Sequence, residues 1–143
     1  MNILCVCTGN ICRSPMLTYL LRDALEKEGI DCTVSSAGIA TVDGAPPSPN
    51  AVAAMQEIGY SIGDHASRQI TLSIADNTDI FVALSVEHGV TLAFQYGADP
   101  ERIVIPGSGI ADPFGRDLAT YRECRDQLVE AIPQLVEDIK ALL

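Results

Sequence analysis

The chain has 143 residues, 48% of them hydrophobic, with 19 acidic side chains against nine basic ones and a net charge of −10. That length and apolar content suit one domain with its own core and exclude a disordered chain. No apolar run approaches the ~18–20 residues of a membrane span, and the basic residues are scattered and form no stripe, so neither a membrane nor a nucleic acid is an expected partner. Such acidity serves solubility and repels a phosphorylated ligand at long range, so an anion has to be gripped by a local feature. Five cysteines are an odd number, without the paired spacings of a zinc site. They point to a reduced, cytoplasmic protein that binds no metal.

In chain order, residues 2–6 read as a buried strand; with no basic segment before the apolar run, this is a first strand and not a signal peptide. Met16, Leu17, Leu20, Leu21, Ala24 and Leu25 recur at helical spacing and set a helix over 15–28, stopped by Gly29. Residues 32–35 form a second strand, followed by a loop over 37–47 rich in glycine and proline. A helix opens at Ser48 or Pro49, with Val52, Met55 and Ile58 on one face and Gly59 at its end. Residues 61–70 look irregular and a short helix follows near 71–76. Residues 78–84 are the third strand, 86–96 a helix stopped by Gly97 with His88 at its exposed start, and 102–105 a short fourth strand. A loop at 112–115 precedes a helical pattern from Asp117 to the end, in which Pro133 should kink the helix or start a new one. Strands alternating with helices argue for one α/β domain spanning 1–143, with a mostly parallel sheet.

The chemistry concentrates in Cys7-Thr8-Gly9-Asn10-Ile11-Cys12-Arg13-Ser14-Pro15, between the first strand and the first helix. Ser14 can cap that helix and Pro15 suits its first turn. A helix N-terminus turns free amides and a partial positive charge toward the loop, which makes an anion site at the carboxyl end of a strand. Positions 8–12 are enough to wrap a tetrahedral oxyanion, with backbone N–H groups on its oxygens and Arg13 as a two-pronged, charge-assisted partner. The same field favours the Cys7 thiolate, which could attack phosphorus and carry the phosphoryl group. Asn10 tolerates a left-handed backbone, and Ser14 can donate to the thiolate. Asp112 is the candidate general acid for the leaving group, although an Asp-Pro pair also starts turns. A nucleoside-triphosphate loop would need Gly-Lys-Ser/Thr, which is missing. A buried structural cysteine beside a surface arginine is the plain alternative, and it weakens because strand, cap, proline and Gly9-Asn10 agree.

Residues 6–16 closely resemble the signature of the low-molecular-weight protein tyrosine phosphatases. Ser36-Ala37-Gly38, Ser67-Arg68-Gln69-Ile70-Thr71 and Asp112-Pro113-Phe114-Gly115 follow in that family's order, so the resemblance covers nearly the whole chain. It implies a four-stranded sheet with helices on both faces. It implies hydrolysis of phosphotyrosine on a protein substrate through a phosphocysteine, with Cys7, Arg13 and Asp112 catalytic and Thr8, Gly9, Asn10, Ile11, Cys12 and Ser14 in the phosphate-binding loop. Asp112 would then act as acid and afterwards as base. No cofactor is implied, since loop amides and Arg13 supply the charge stabilisation, and the expected assembly is a monomer or weak homodimer.

His65 matches a family histidine that hydrogen-bonds the loop asparagine, and is equally readable as an ordinary histidine. Phe114 matches a pocket wall that stacks on the substrate ring, with a core role as its alternative; Phe114-Gly115 stands, as in bacterial relatives, where animal members carry paired tyrosines. The 39–47 loop would be the opposite wall, with Ile39, Thr41 and Val42 where many members place a bulky aromatic. Cys12 could trap an oxidised Cys7 as a disulfide, or simply fill space. A sister group acts on phosphoarginine and carries threonine at the position of Ile11, whose apolar bulk here suits a phenyl ring. An arsenate reductase would need relay cysteines, and only Cys32 and Cys124 remain outside the first strand and loop. A non-catalytic phosphate-binding module would need neither Cys7 nor Asp112.

Overall fold

A computed structural model describes residues 1–143. Four strands, β1 (Asn2–Cys7), β2 (Thr33–Gly38), β3 (Ile80–Ala83) and β4 (Ile103–Val104), form one sheet in the order β2-β1-β3-β4, with every pairing parallel. The helices are α1 (Arg13–Lys27), α2 (Pro49–Gln56), α3 (Leu72–Asp76), α4 (Val86–Tyr96) and α5 (Leu118–Ala141). The expected α/β class with a four-stranded parallel sheet is therefore what the chain adopts.

Strand periodicity explains the layering. Side chains alternate across a strand, and β1 sends Ile3, Cys5 and Cys7 into the larger core, shared with Leu17 and Leu21 of α1 and Leu128 and Ile139 of α5. Leu4 and Val6 point the other way, into a smaller core with Phe81, Ala75 of α3 and Leu92 of α4. Both faces are covered, so β1 reads as a continuous apolar run, as parallel strands do. The centre of the sheet is thus β1, and its carboxyl end opens between Gly38 and Ala83, the partners of Cys7 and Val6. A crevice at this end, where the strand order reverses, is the expected ligand position in open α/β sheets.

Two local expectations are corrected. Ser14 does not cap α1: the helix begins at Arg13, two residues earlier than expected, Cys12 occupies the cap position without a side-chain bond, and Ser14 turns its hydroxyl inward. Pro133 does not start a new helix. A proline removes one intrahelical bond, but Leu128, Leu135, Val136 and Ile139 remain buried on either side of it, and α5 runs through as one element. Strand bounds also move: β2 extends to Gly38, and β4 keeps only two residues after a 3₁₀ turn at Pro100–Arg102. No helix is long and apolar enough to cross a membrane.

Candidate active site

The loop between β1 and α1 is held by side chains that leave almost no polar atom unpaired. Asn10 is fully buried and adopts a left-handed backbone, φ 57°. Its amide donates to Ser14 Oγ at 2.8 Å and to Ser36 Oγ at 2.9 Å, and its Oδ1 accepts the Arg68 backbone N–H at 2.9 Å. That backbone donor fixes which way the amide faces. The Asn10 carbonyl accepts from His65 Nε2 at 2.6 Å. Burial holds His65 below its ordinary pKa, and this bond partly opposes the shift. Since Ser14 Oγ already accepts from Asn10, its proton is free for Cys7 Sγ, 3.0 Å away. A hydroxyl donor at that position stabilises negative charge on the sulfur.

Gly38 shows why β2 ends as it does. A Cβ there would lie 2.7 Å from the Thr8 carbonyl and 3.1 Å from Asn10 Cβ, so glycine alone lets the strand approach the loop. Ile39 and Ala40 then donate their N–H groups to the carbonyls of Cys7 and Thr8. Farther round, Ser48 N–H donates to the Ile11 carbonyl, and Cys12 Sγ sits 3.0 Å from Ser48 Oγ and 3.2 Å from Tyr121 Oη. Burial is the main force raising the Cys12 thiol pKa.

Arg13 is 5% exposed. Its Nη1 donates to the Ile110 carbonyl at 2.9 Å, and Nη2 lies 3.6 Å from Asp112 Oδ2. Its Nε is buried without a protein partner. Nε and Nη2 share one edge of the guanidinium, which leaves a two-donor edge fitted to an oxyanion. Asp112 is half exposed, and its Oδ1 accepts the Phe114 N–H at 3.0 Å.

These groups meet in one cavity of about 760 Å³. Its floor is Cys7, Thr8, Gly9, Cys12 and Arg13; Ile11, Ala40, Thr41, Val42, Ala45 and Gln69 form one side, and Asp112 and Phe114 the other. Asp112 is the only acidic residue among them. Phe114 is 63% exposed, which removes the core alternative for it. Asn10 and Ser14 lie behind the floor, with no exposed surface. Of the 39–47 residues, Thr41 and Val42 line the cavity, but Ile39 packs against the smaller core instead. Gln69, given no role by the sequence beyond its place in the 67–71 motif, holds this wall: its Oε1 accepts the Thr41 N–H and its Nε2 donates to the Ile39 carbonyl, both at 2.8 Å.

His88 also needs correction. It is 7% exposed, not at an open helix start, and Nε2 lies 2.9 Å from Thr8 Oγ1. The signal for it was Ser85, the cap of α4, because a residue three positions after a cap shares its side of the helix.

With an oxyanion cradle, a buried thiol and a half-exposed carboxylate in one crevice, the comparison with known proteins decides the family. The chain belongs to the low molecular weight phosphotyrosine protein phosphatases. That family's model matches residues 2–142. Across the family's curated proteins, the chain is 33% identical to a protein-arginine-phosphatase of Bacillus subtilis over 98% of this chain and 97% of that one. It is also 33% identical to EpsP of Ralstonia nicotianae, a probable low molecular weight protein-tyrosine-phosphatase, over 99% and 97%. The solved structure of a YwlE arginine phosphatase mutant with a phosphorylated active-site serine superposes with a TM-score of 0.89 at 32% identity, covering 98% of this chain and 96% of that one.

Proposed function

We propose that residues 1–143 form one catalytic domain that hydrolyses phosphotyrosine on proteins through a phosphocysteine at Cys7. The observation that carries this reading is the convergence of Cys7, the free edge of Arg13 and Asp112 on a single cavity. The phosphoryl group sits over Cys7 with its oxygens on loop amides and Arg13. The Cys7 thiolate attacks phosphorus as the tyrosyl oxygen leaves, and Asp112, as the acid, protonates that oxygen. Asp112 then takes a proton from water as it attacks the phosphocysteine, which returns the Cys7 thiolate and releases phosphate. The phosphorylated active-site serine in the YwlE mutant supports a covalent route of this kind.

The cavity wall supports a phenyl ring. Ile11, Ala40, Val42, Ala45 and Phe114 offer apolar surface, and Asp112 is the only carboxylate that could meet a guanidinium. Phosphoarginine is the second reading, favoured by the names of the Bacillus relative and of YwlE. A thiol relay of the arsenate-reductase kind finds little support. Cys32 precedes β2, about 20 Å from the Cys7 end of the sheet at strand rise, and Cys124 is buried, its pKa raised to about 12 by that burial. Five unpaired cysteines suit a reduced, cytoplasmic setting in a bacterial cell. The proposed assembly is a monomer or weak homodimer, and Cys12, on the same loop as Cys7, is placed in sequence to trap it after oxidation.

The test measures phosphate release from a phosphotyrosine peptide and a phosphoarginine peptide, side by side, with wild type, Cys7→Ser and Ile11→Thr. Release from phosphotyrosine that disappears in Cys7→Ser is expected, with Ile11→Thr moving the preference toward phosphoarginine. Faster wild-type release from phosphoarginine would make the second reading the right one, and no release from either would leave a phosphate-binding module.

A further inference from the structure

Thr8 follows the proposed nucleophile and lines the cavity, yet no part of the reaction described so far uses its side chain. Its Oγ1 lies 2.9 Å from His88 Nε2, and His88 Nδ1 lies 2.8 Å from Ser85 Oγ. Ser85 Oγ also accepts the His88 backbone N–H at 3.2 Å, as the cap of α4. Three polar side chains therefore run in line from a helix cap to the phosphate loop.

Proton accounting gives the line a direction. Burial, and after it the positive charge of Arg13, lowers the His88 pKa; the carboxylates of Glu87 and Asp112 oppose the shift. A neutral imidazole carries one N–H. Ser85 Oγ already accepts from the backbone and lies 2.8 Å from His88 Nδ1, and its hydroxyl, after the Glu87 backbone N–H, also helps hold the Glu87 carboxyl below its ordinary pKa. With Ser85 donating to Nδ1, the imidazole proton stands on Nε2, and Nε2–H donates to Thr8 Oγ1. Thr8 then accepts along this line and its own proton turns away from His88, into the cavity. The opposite tautomer would take up the Thr8 proton and aim Thr8 lone pairs at an incoming anion, so a bound phosphoryl group selects the tautomer with Nε2–H.

We propose that the Ser85–His88 pair is a positioning relay that aims the Thr8 hydroxyl proton at an oxygen of the phosphoryl group held over Cys7. The relay adds a side-chain donor to a cradle otherwise made of backbone amides and Arg13, and it joins α4 to the site across the sheet. This inference rests on the hydrolase reading for its effect on turnover, but its effect on phosphate binding can be read without turnover.

The experiment is a double-mutant cycle on Thr8→Val and His88→Phe, read by calorimetric affinity for inorganic phosphate and, in parallel, by kcat/KM on a phosphotyrosine peptide. Each single substitution should weaken phosphate binding about fivefold to tenfold, the size of one neutral hydrogen bond. The double variant should be no weaker than either single one, because His88 acts only through Thr8. Thr8→Ser should bind as wild type does and should keep its response to His88→Phe. Thermal melts identify variants that fail to fold, and Ser85→Ala takes the place of His88→Phe in the cycle if that variant does.

Losses that add, or a folded His88→Phe with wild-type phosphate affinity, overturn the relay. A wild type that does not bind phosphate also overturns it. A wild type that binds phosphate but releases none from the peptide defeats the hydrolase reading alone, and the cycle on affinity still decides the relay.

Discussion

Asn10, behind the cavity floor, is fully buried and has hydrogen bonds on both amide protons, its side-chain oxygen and its carbonyl. Phe114, on the rim, is 63% exposed and is tied by one backbone bond to Asp112. The two sides of the cavity are thus built differently. The floor is over-determined: strand register, Gly38, Arg68 and His65 all restrain the same loop. The rim is an exposed turn whose side chains face solvent. Such a division allows the anion chemistry to stay constant while the group carrying the phosphate is selected by a few replaceable residues, a pattern expected where rigid elements present loops.

The largest effect should come from breaking the floor at its charge. Arg13→Lys keeps the sign but loses the two-donor edge and the Nη1 bond to Ile110. Activity on a phosphotyrosine peptide should fall about 10³-fold, the scale for removing a preorganised oxyanion donor. Retention of a tenth or more of wild-type kcat/KM would show that the loop amides suffice.

Asp112→Asn comes next and separates acid from cradle. Peptide turnover should drop about 10²-fold or more, in the range for general acid catalysis. An activated aryl phosphate, whose leaving group needs no proton, should lose far less in its first step. Equal losses on the two substrates, compared by burst kinetics, would assign Asp112 to binding alone.

Asn10→Ala tests over-determination directly. It strands the Arg68 N–H and two serine hydroxyls in a buried site and puts alanine at φ 57°. Stability should fall by about 2–4 kcal/mol in denaturant titrations. A loss under 1 kcal/mol would mean that the loop holds itself without this side chain.

Legibility in the sequence divides along the same line. The strand, loop and first helix were readable because the apolar run, Gly9-Asn10 and Pro15 act locally. Cys7, Arg13 and Asp112 were readable as chemistry from residue type, and their order along the chain matched the family. What failed depended on contacts far apart in sequence. Ser14 looked like a cap because serine before proline usually is one; Asn10 and Cys7 recruit it instead. His88 looked exposed because a helix start usually is, but the parallel order of the sheet brings that start beside Thr8, 80 residues away. Gln69 has no local signature; its amide works only where two loops meet.

The rim is tested by Phe114→Ala. With its ring largely in solvent, the change should leave stability within about 0.5 kcal/mol. KM for a phosphotyrosine peptide should rise about fivefold, the worth of a partial aromatic contact, with kcat nearly constant. A fall in kcat that matches the fall in kcat/KM would show that the ring acts in the transition state and not in substrate grip alone, and would tie the rim to the floor through Asp112.

The smallest effect is one of pH, and it distinguishes the two sides without any substitution. His65 and His88 both brace the floor, on Asn10 and Thr8, and burial holds both below their ordinary pKa. A base depressed in the folded state binds protons first when unfolded, so its contribution is complete above the unfolded value of about 6.5 and is lost as pH falls through the folded value. Thermal stability should therefore decline gently from pH 7 toward pH 5. His65→Gln should flatten that decline, since the amide can still donate to the Asn10 carbonyl and does not titrate. Phe114→Ala should leave the slope unchanged, because nothing that titrates near the rim bears on the histidines' burial except Asp112, which it retains. A slope indifferent to His65→Gln would leave His88 as its source, because Glu57, whose pKa is lowered to about 2 by Arg122 and then Arg125, keeps its contribution down to pH 4.5 and loses it only below that window.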